Sequence, residues 1–247
     1  MRCSNGFLAA FGPEIALVRP HLREVTLKAG QVICEPGERI NKVFFLNGGL
    51  VSKLTVFEDG TEIECALVGR EGAVGALSAL GLRRSVTRDV CHMAATASVI
   101  DATRLAEAAQ KSARIHDVLD TYCAWKMTYA MRNGACNALH PVEPRLCRWL
   151  LTCADVLEED EIRLPQEVFA KMLGVQRTSV NPILQRLRAE RLIALGRSRL
   201  VLLDRERLME RACECYKSMG RLDLTAAAHA HDEPAEVAPL RAFGSRC

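Results

Sequence analysis

Six polar side chains crowd into residues 176–185: Gln176, Arg177, Thr178, Ser179, Asn181 and Gln185. Arginine matches the O6/N7 edge of guanine, and asparagine or glutamine the N6/N7 edge of adenine. Such groups read bases only if one element holds them on one side. Around them, Phe169, Leu173, Val175, Val180 and Ile183 are apolar, and Ala170 stands four residues before Gly174. This is the helix-turn-helix pattern. Ala170 lets two helices approach, Gly174 permits the tight turn, and Val175, Val180 and Ile183 anchor the second helix on the first. The polar residues then lie outward near the start of the second helix, where recognition helices meet base edges.

Positive charge concentrates in the same place. Between Lys171 and Arg199 the chain carries seven basic residues, Arg186 among them, against the single acid Glu190, a local charge of +6. The whole chain has 33 basic and 30 acidic residues, net +3, so the remainder sums to 3 − 6 = −3. A net charge of +3 does not mark a nucleic-acid binder, and a run of this size can be a solvated helix face. Coinciding with a helix-turn-helix pattern, it favours a polyanionic partner. Downstream, apolar residues 192–195 and 200–203 flank Gly196-Arg197-Ser198-Arg199. This reads as a hairpin, a wing whose tip offers Arg197 and Arg199 to phosphate, which fixes position rather than sequence. Asp204 is then expected to cap a closing helix through Tyr216.

From Val25 to about Ile100, short β-rich runs alternate with glycine turns, and Asp59-Gly60 marks a hairpin. From about Leu105 helix formers take over. Val118, Tyr122, Trp125 and Tyr129, spaced 4, 3 and 4, make a heptad-type stripe suited to a dimer interface. Packing of that stripe on the chain's own roll is the simpler alternative. Pro141 and Pro144 punctuate the chain at a hinge. The predicted fold class is α+β: an antiparallel β-roll over 1–104, a long dimerisation helix over 105–140, a winged helix-turn-helix over 141–217, and a loosely ordered tail over 218–247.

Several function classes are excluded or left without support. With 49% hydrophobic and 26% charged residues, the 247-residue chain is ordinarily globular. No apolar run approaches the ~18–20 residues that cross a bilayer, and Met1 to Phe7 lacks a signal-peptide layout. A cytoplasmic protein without a membrane partner is expected. A metal-cupin enzyme needs histidines clustered on the roll, where only His92 falls, and the glycines of 69–75 carry no Walker lysine. No catalytic residue is assigned. The eleven cysteines contain no C-x-x-C pair and read as reduced thiols. Cys213 and Cys215, on a continuous helix, would point ~200° apart and not share a metal. Cys136 and His140, four apart on a helix, supply at most half a metal or redox site, and a small buried thiol is the simpler account. No metal ligand is assigned.

The order of roll, long helix and winged helix-turn-helix resembles the CRP/FNR family of bacterial transcription regulators over residues 8–217. Strings such as Glu35-Pro36-Gly37-Glu38, Val68-Gly69-Arg70-Glu71-Gly72, Arg148-Trp149-Leu150-Leu151 and Ala212-Cys213-Glu214-Cys215-Tyr216 are similar to a poorly characterised subgroup with a degenerate cyclic-nucleotide pocket. The resemblance implies a homodimer on a palindromic double-stranded DNA operator, an effector in the roll, and RNA polymerase as a further candidate partner. It also implies effector-site positions: Glu71 for a ribose hydroxyl, and Arg84 with Ser85 for a phosphate. Here the chain departs from the family. Gly69-Arg70-Glu71 interposes an arginine, and the gap from Glu71 to Arg84 is long, so a degenerate roll or a different ligand is favoured over a cyclic nucleotide. Cys3 and Cys34 do not form the closely spaced set of iron–sulfur members, and His92 is the one candidate haem ligand in the second half of the roll. Pro182 lies inside the recognition helix, where it cannot donate to the Thr178 carbonyl. The competing function is a small-molecule or thiol redox sensor whose DNA-binding head is weakened.

Overall fold

A computed structural model of the chain describes residues 5–220. Helix α1 (Gly6–Ala10) and two short 3-10 turns precede the roll. Asn5 caps α1, accepting from the Leu8 amide at 2.9 Å, and its side-chain amide donates to Leu46 O and Gly72 O. A single buried asparagine thus ties the start of α1 to the end of the Lys42–Leu46 strand and to the loop at Gly72.

The roll comprises β1 (Arg23–Leu27), β2 (Val32–Cys34), β3 (Lys42–Leu46), β4 (Leu50–Val56), β5 (Glu62–Val68), β6 (Ala73–Val74), β7 (Arg88–Met93) and β8 (Ala95–Asp101). Two antiparallel four-stranded sheets, β1-β8-β3-β6 and β2-β7-β4-β5, face each other across a core that includes Leu46, Val51, Val68, Val74 and Cys91. The β4–β5 hairpin turns at Asp59-Gly60, as their spacing predicts. Gly60 sits at φ +81°, and the Asp59 carboxylate accepts from the Thr61 amide at 2.9 Å.

Helix α2 (Ala102–Lys111) breaks at Ser112, whose hydroxyl caps α3 (Ala113–Leu139) through the Ile115 amide. The expected single dimerisation helix is therefore two helices. The heptad-type stripe on α3 also lies differently from its expected role. Val118, Tyr122 and Tyr129 are buried within the protomer. Tyr122 stacks on Phe7 at 4.5 Å and exchanges hydrogen bonds with the Ala73 backbone. Trp125 packs beside Tyr129. Heptad spacing marks an apolar face, and here that face is covered by the chain's own roll.

The C-terminal region begins with α4 (Val142–Leu157), then β9 (Glu161–Ile162), α5 (Gln166–Met172), α6 (Arg177–Ala189), β10 (Ile193–Leu195), β11 (Leu200–Leu202), α7 (Arg205–Arg211) and α8 (Cys215–Met219). The wing hairpin pairs Ile193 with Leu202 and Leu195 with Leu200. Strand β9 adds a third strand through Leu200–Ile162, so the acidic run 158–161 leads directly into a strand. Asp204 caps α7 through the Arg207 amide. The closing helix, expected through Tyr216, stops at Arg211 because Ala212 turns extended, ψ 150°. The expected tail lies largely beyond residue 220, outside the described residues. Trp149, Phe169, Val180, Leu184 and Leu187 share one core cluster with Leu50, Leu54 and Leu67 of the roll.

Candidate nucleic-acid interface and effector cavity

In the helix-turn-helix, Ala170 and Phe169 are buried at the close approach of α5 and α6. Gly174 takes φ +62°, a conformation that favours glycine, and the Val175 amide closes the turn on Ala170 O at 3.1 Å. Val180, Ile183, Leu184 and Leu187 then face inward at helical spacing. This leaves Gln176, Arg177, Thr178, Ser179, Gln185 and Arg186 exposed. Asn181 is half-buried, and its Oδ1 has no protein partner. Gln176 is the N-cap, and no acidic residue occupies the first turn of α6, so the positive end of the helix dipole is uncompensated and suits an anion.

Because α6 starts at Arg177, Pro182 falls in its second turn rather than its first. The Thr178 carbonyl therefore lacks its i+4 donor, although the helix continues to Ala189. At the wing, Arg197 and Arg199 are exposed. Arg199 leans toward Glu161, 3.9 Å away, and Arg186 toward Glu143, 3.5 Å away.

The effector positions implied by the resemblance do not converge. Glu71 turns back on the Gly69 amide at 3.0 Å and pairs with Lys126 at 3.4 Å. Arg84 donates to Gly37 O at 2.7 Å. Of the three, Ser85 alone lines the cavity of about 60 Å³ between the roll and α3. That cavity is walled by Ile40, Leu77, Leu82, Val86, Tyr122 and Cys123, with Lys53, Asp89 and Lys126 as its charged groups. Lys53 is bonded to both Asp89 oxygens, at 2.8 and 2.7 Å. A wider, more open cavity of about 230 Å³ adjoins it at Ile40, Gly75 and Asp89. The lining thus differs from the set that the resemblance implies: Asp89 and Lys53 stand in the cavity, and Arg84 is turned to the Gly37 carbonyl.

A second polar cluster lies at the seam between the roll and the C-terminal region. Glu64 of β5 accepts from the Trp149 indole at 2.7 Å and from the Ser52 hydroxyl at 2.6 Å. Burial pushes its carboxyl up to about 7, against those two hydrogen bonds and the charges of Arg148 and Lys126. Arg148, fully buried, donates to Asn133 Oδ1 at 2.7 Å, and Asn133 donates to Glu64 O. Lys171 of α5 pairs with Glu62, which also holds Arg88. His92 lies at the same seam. Burial, then the charge of Lys171, lowers it to about 4. The partners of Asn133, Arg148, Trp149 and Lys171 are 15 to 109 residues away in the chain, a distance at which no sequence pattern points to them.

The Crp-like helix-turn-helix domain family matches residues 144–211, and the cyclic nucleotide-binding domain family matches residues 24–112. Among solved structures, FixK2 from Bradyrhizobium japonicum is similar with a TM-score of 0.69 at 16% identity, over 78% of this chain and 98% of that one. The c-di-GMP-responsive global regulator CLP of Xanthomonas campestris gives 0.64 at 18% identity, over 76% and 97%. A CRP-family transcriptional regulator of Thermus thermophilus gives 0.64 at 22%, over 77% and 99%. At these identities the structural likeness is one of fold. No curated protein is a significant match by sequence.

Proposed function

This chain belongs to the CRP/FNR family of transcription regulators, and from that premise we propose that it binds palindromic double-stranded DNA as a homodimer. Helix α6 enters the major groove, with Arg177, Gln176, Thr178, Ser179, Asn181 and Gln185 available to base edges. Arg197 and Arg199 of the wing, with Arg186, meet phosphate. The observation that carries this reading is the outward polar face of α6, built on an apolar inner face within a segment of charge +6.

Replacing Arg177 and Arg197 together with Ala tests it on genomic fragments selected by the purified protein. Affinity should fall by roughly 10-fold or more, and the slope of log affinity against log salt should flatten by about 1 for the lost phosphate contact. Unchanged affinity refutes the assignment.

Pairing of two protomers is assigned to the opposite face of α3 from the buried stripe. Ala124, Met127, Met131, Ala135 and Ala138 are exposed at spacings of 3, 4, 4 and 3. Met127 is 62% exposed and Met131 69%, large apolar side chains that a partner helix would cover. The double variant Met127→Glu/Met131→Glu should sediment as a monomer. A dimer that persists would move the interface elsewhere. The roll's effector, on this reading, is a small and mainly apolar molecule with one polar group for the Lys53–Asp89 end of the cavity.

A further inference from the structure

Where α3 ends and α8 begins, four potential metal ligands meet: Cys136, His140, Cys213 and Cys215. Their ligand atoms all lie within 4.8 Å of one another. Cys136 Sγ and Cys213 Sγ are 3.5 Å apart, and Cys215 Sγ is 3.7 Å from His140 Nδ1. A tetrahedral zinc ion, with Zn–S of about 2.3 Å and Zn–N of about 2.0–2.1 Å, sets its ligand atoms roughly 3.5–3.8 Å apart. The two resolved edges fall on that spacing. A polynuclear iron–sulfur cluster spreads its ligands over several irons, and this set is too tight for one.

Local backbone explains how two residues at i and i+2 converge. Ala212 is extended, Cys213 lies in the break, and Glu214 is the N-cap of α8. The helical angle that would separate the two thiols does not apply. Cys136 and His140 come from one face at the last turn of α3, and the His140 amide closes that turn on Cys136 O at 3.0 Å.

The surroundings complete the donor set. His140 Nε2 is 3.1 Å from the Glu214 carboxylate, which fixes the proton on Nε2 and leaves the Nδ1 lone pair toward the thiols. A carboxylate behind a histidine is the usual support of a metal-bound imidazole. Three thiolates and a divalent ion leave one negative charge, and the buried Arg148 guanidinium lies beside the cluster. Its Nη1 lies 3.6 Å from Met219 Sδ, in the same cluster.

We propose that Cys136, His140, Cys213 and Cys215 form a closed Cys3His site for one zinc ion, which clamps the C-terminal helix of the winged domain to the end of α3. Four protein ligands leave no open position, so the ion is structural and not catalytic. The proposal does not rest on DNA binding, and its test is read without DNA.

The full-length protein, reduced and stripped with chelator, is titrated with Co2+ and then Zn2+. One equivalent of Co2+ per chain should give the visible bands of a tetrahedral thiolate complex, which Zn2+ bleaches. The ion should also raise the melting temperature. Glu214→Gln, at an exposed side chain, should weaken Co2+ by ~10-fold, and the Cys213→Ser/Cys215→Ser double variant by more than ~100-fold. Cys34→Ser should bind as the parent does. Circular dichroism confirms that each variant is folded, and the exposed Glu214→Gln keeps the test decisive if the double variant is not. An octahedral spectrum, binding unchanged in the folded double variant or, where that variant is unfolded, in Glu214→Gln, or a Cys136–Cys213 disulfide with no metal affinity would each overturn the site.

Discussion

The winged domain shows two faces with opposite use of polar groups. On the roll side, Trp149, Arg148, Arg145 and Lys171 each have a defined acceptor: Glu64, Asn133, the Leu173 carbonyl and Glu62. Most of these groups are buried. On the far side, Gln176, Arg177, Thr178, Ser179 and Gln185 point into solvent. A latch works when most of its donors are satisfied, since an unpartnered buried polar group costs about 1–3 kcal/mol; here the Nε atoms of Arg145 and Arg148 are left without a partner. A recognition surface works when its donors are free to meet a partner. The same small domain meets both needs because α4 and α5 carry the first set and α6 the second.

The largest expected effect breaks the latched side. Trp149 is 1% exposed, packs edge-on against Phe169 and bonds to Glu64. Trp149→Ala should cost ~3–5 kcal/mol, seen as a lower denaturation midpoint, and should expose the seam to proteolysis. If stability were unchanged, the seam would not be a latch.

Next comes protonation at the seam. The Glu64 carboxyl is raised from 4.5 to about 7 by burial. Its stabilising contribution is therefore fully present below about 4.5 and lost as pH rises through about 7. The shift corresponds to roughly 3 kcal/mol as an order of magnitude. His92, lowered from 6.5 to about 4 at the same seam, works the other way, its contribution growing as pH rises through this window. The Glu64 part is therefore read as a difference: the stability of Glu64→Gln, which keeps the hydrogen-bonding shape without the charge, should rise relative to the parent's between pH 5 and 7, and a difference that does not change with pH would mean the carboxylate is ionised at no cost.

Why one face was legible in the sequence and the other was not follows from contact range. The helix-turn-helix is written in contacts three to eight residues apart: Ala170 with Val175, Gly174 at the turn, Val180 with Ile183 and Leu187. Helical periodicity exposes these directly. The β4–β5 hairpin was legible for the same reason. The latch joins Trp149 to Glu64 and Lys171 to Glu62 across the fold, and neither alternation nor charge announces such a pair. The stripe on α3 shows a subtler limit. Its spacing correctly marked an apolar face, but periodicity does not say whether a second chain or the roll covers it, and Tyr122 and Tyr129 went to the roll. The convergence of Cys213 and Cys215 depended on a helix ending at Ala212, a residue that favours helix and gives no signal of a stop.

The smallest expected effect sharpens the comparison, because one acid reaches from the latched side toward the open one. Glu143, at the start of α4, bonds Arg211 at 3.2 Å and lies 3.5 Å from Arg186 on α6. Arg211 has a second acid, Glu190, at 2.6 Å, so it stays held when Glu143 is neutralised. Arg186 has the weaker claim and is the group that would be released. Glu143→Gln should therefore leave stability within about 1 kcal/mol, as expected for exposed ion pairs. It should raise DNA affinity by about 2–5-fold, through a freed guanidinium and one less negative charge near phosphate. The gain should vanish at high salt. Adding Arg186→Ala to Glu143→Gln separates the two contributions: if affinity returns to the parent's, the freed arginine carries the gain. If affinity stays raised, loss of the negative charge alone accounts for it, and Arg186 leaves the set of phosphate contacts.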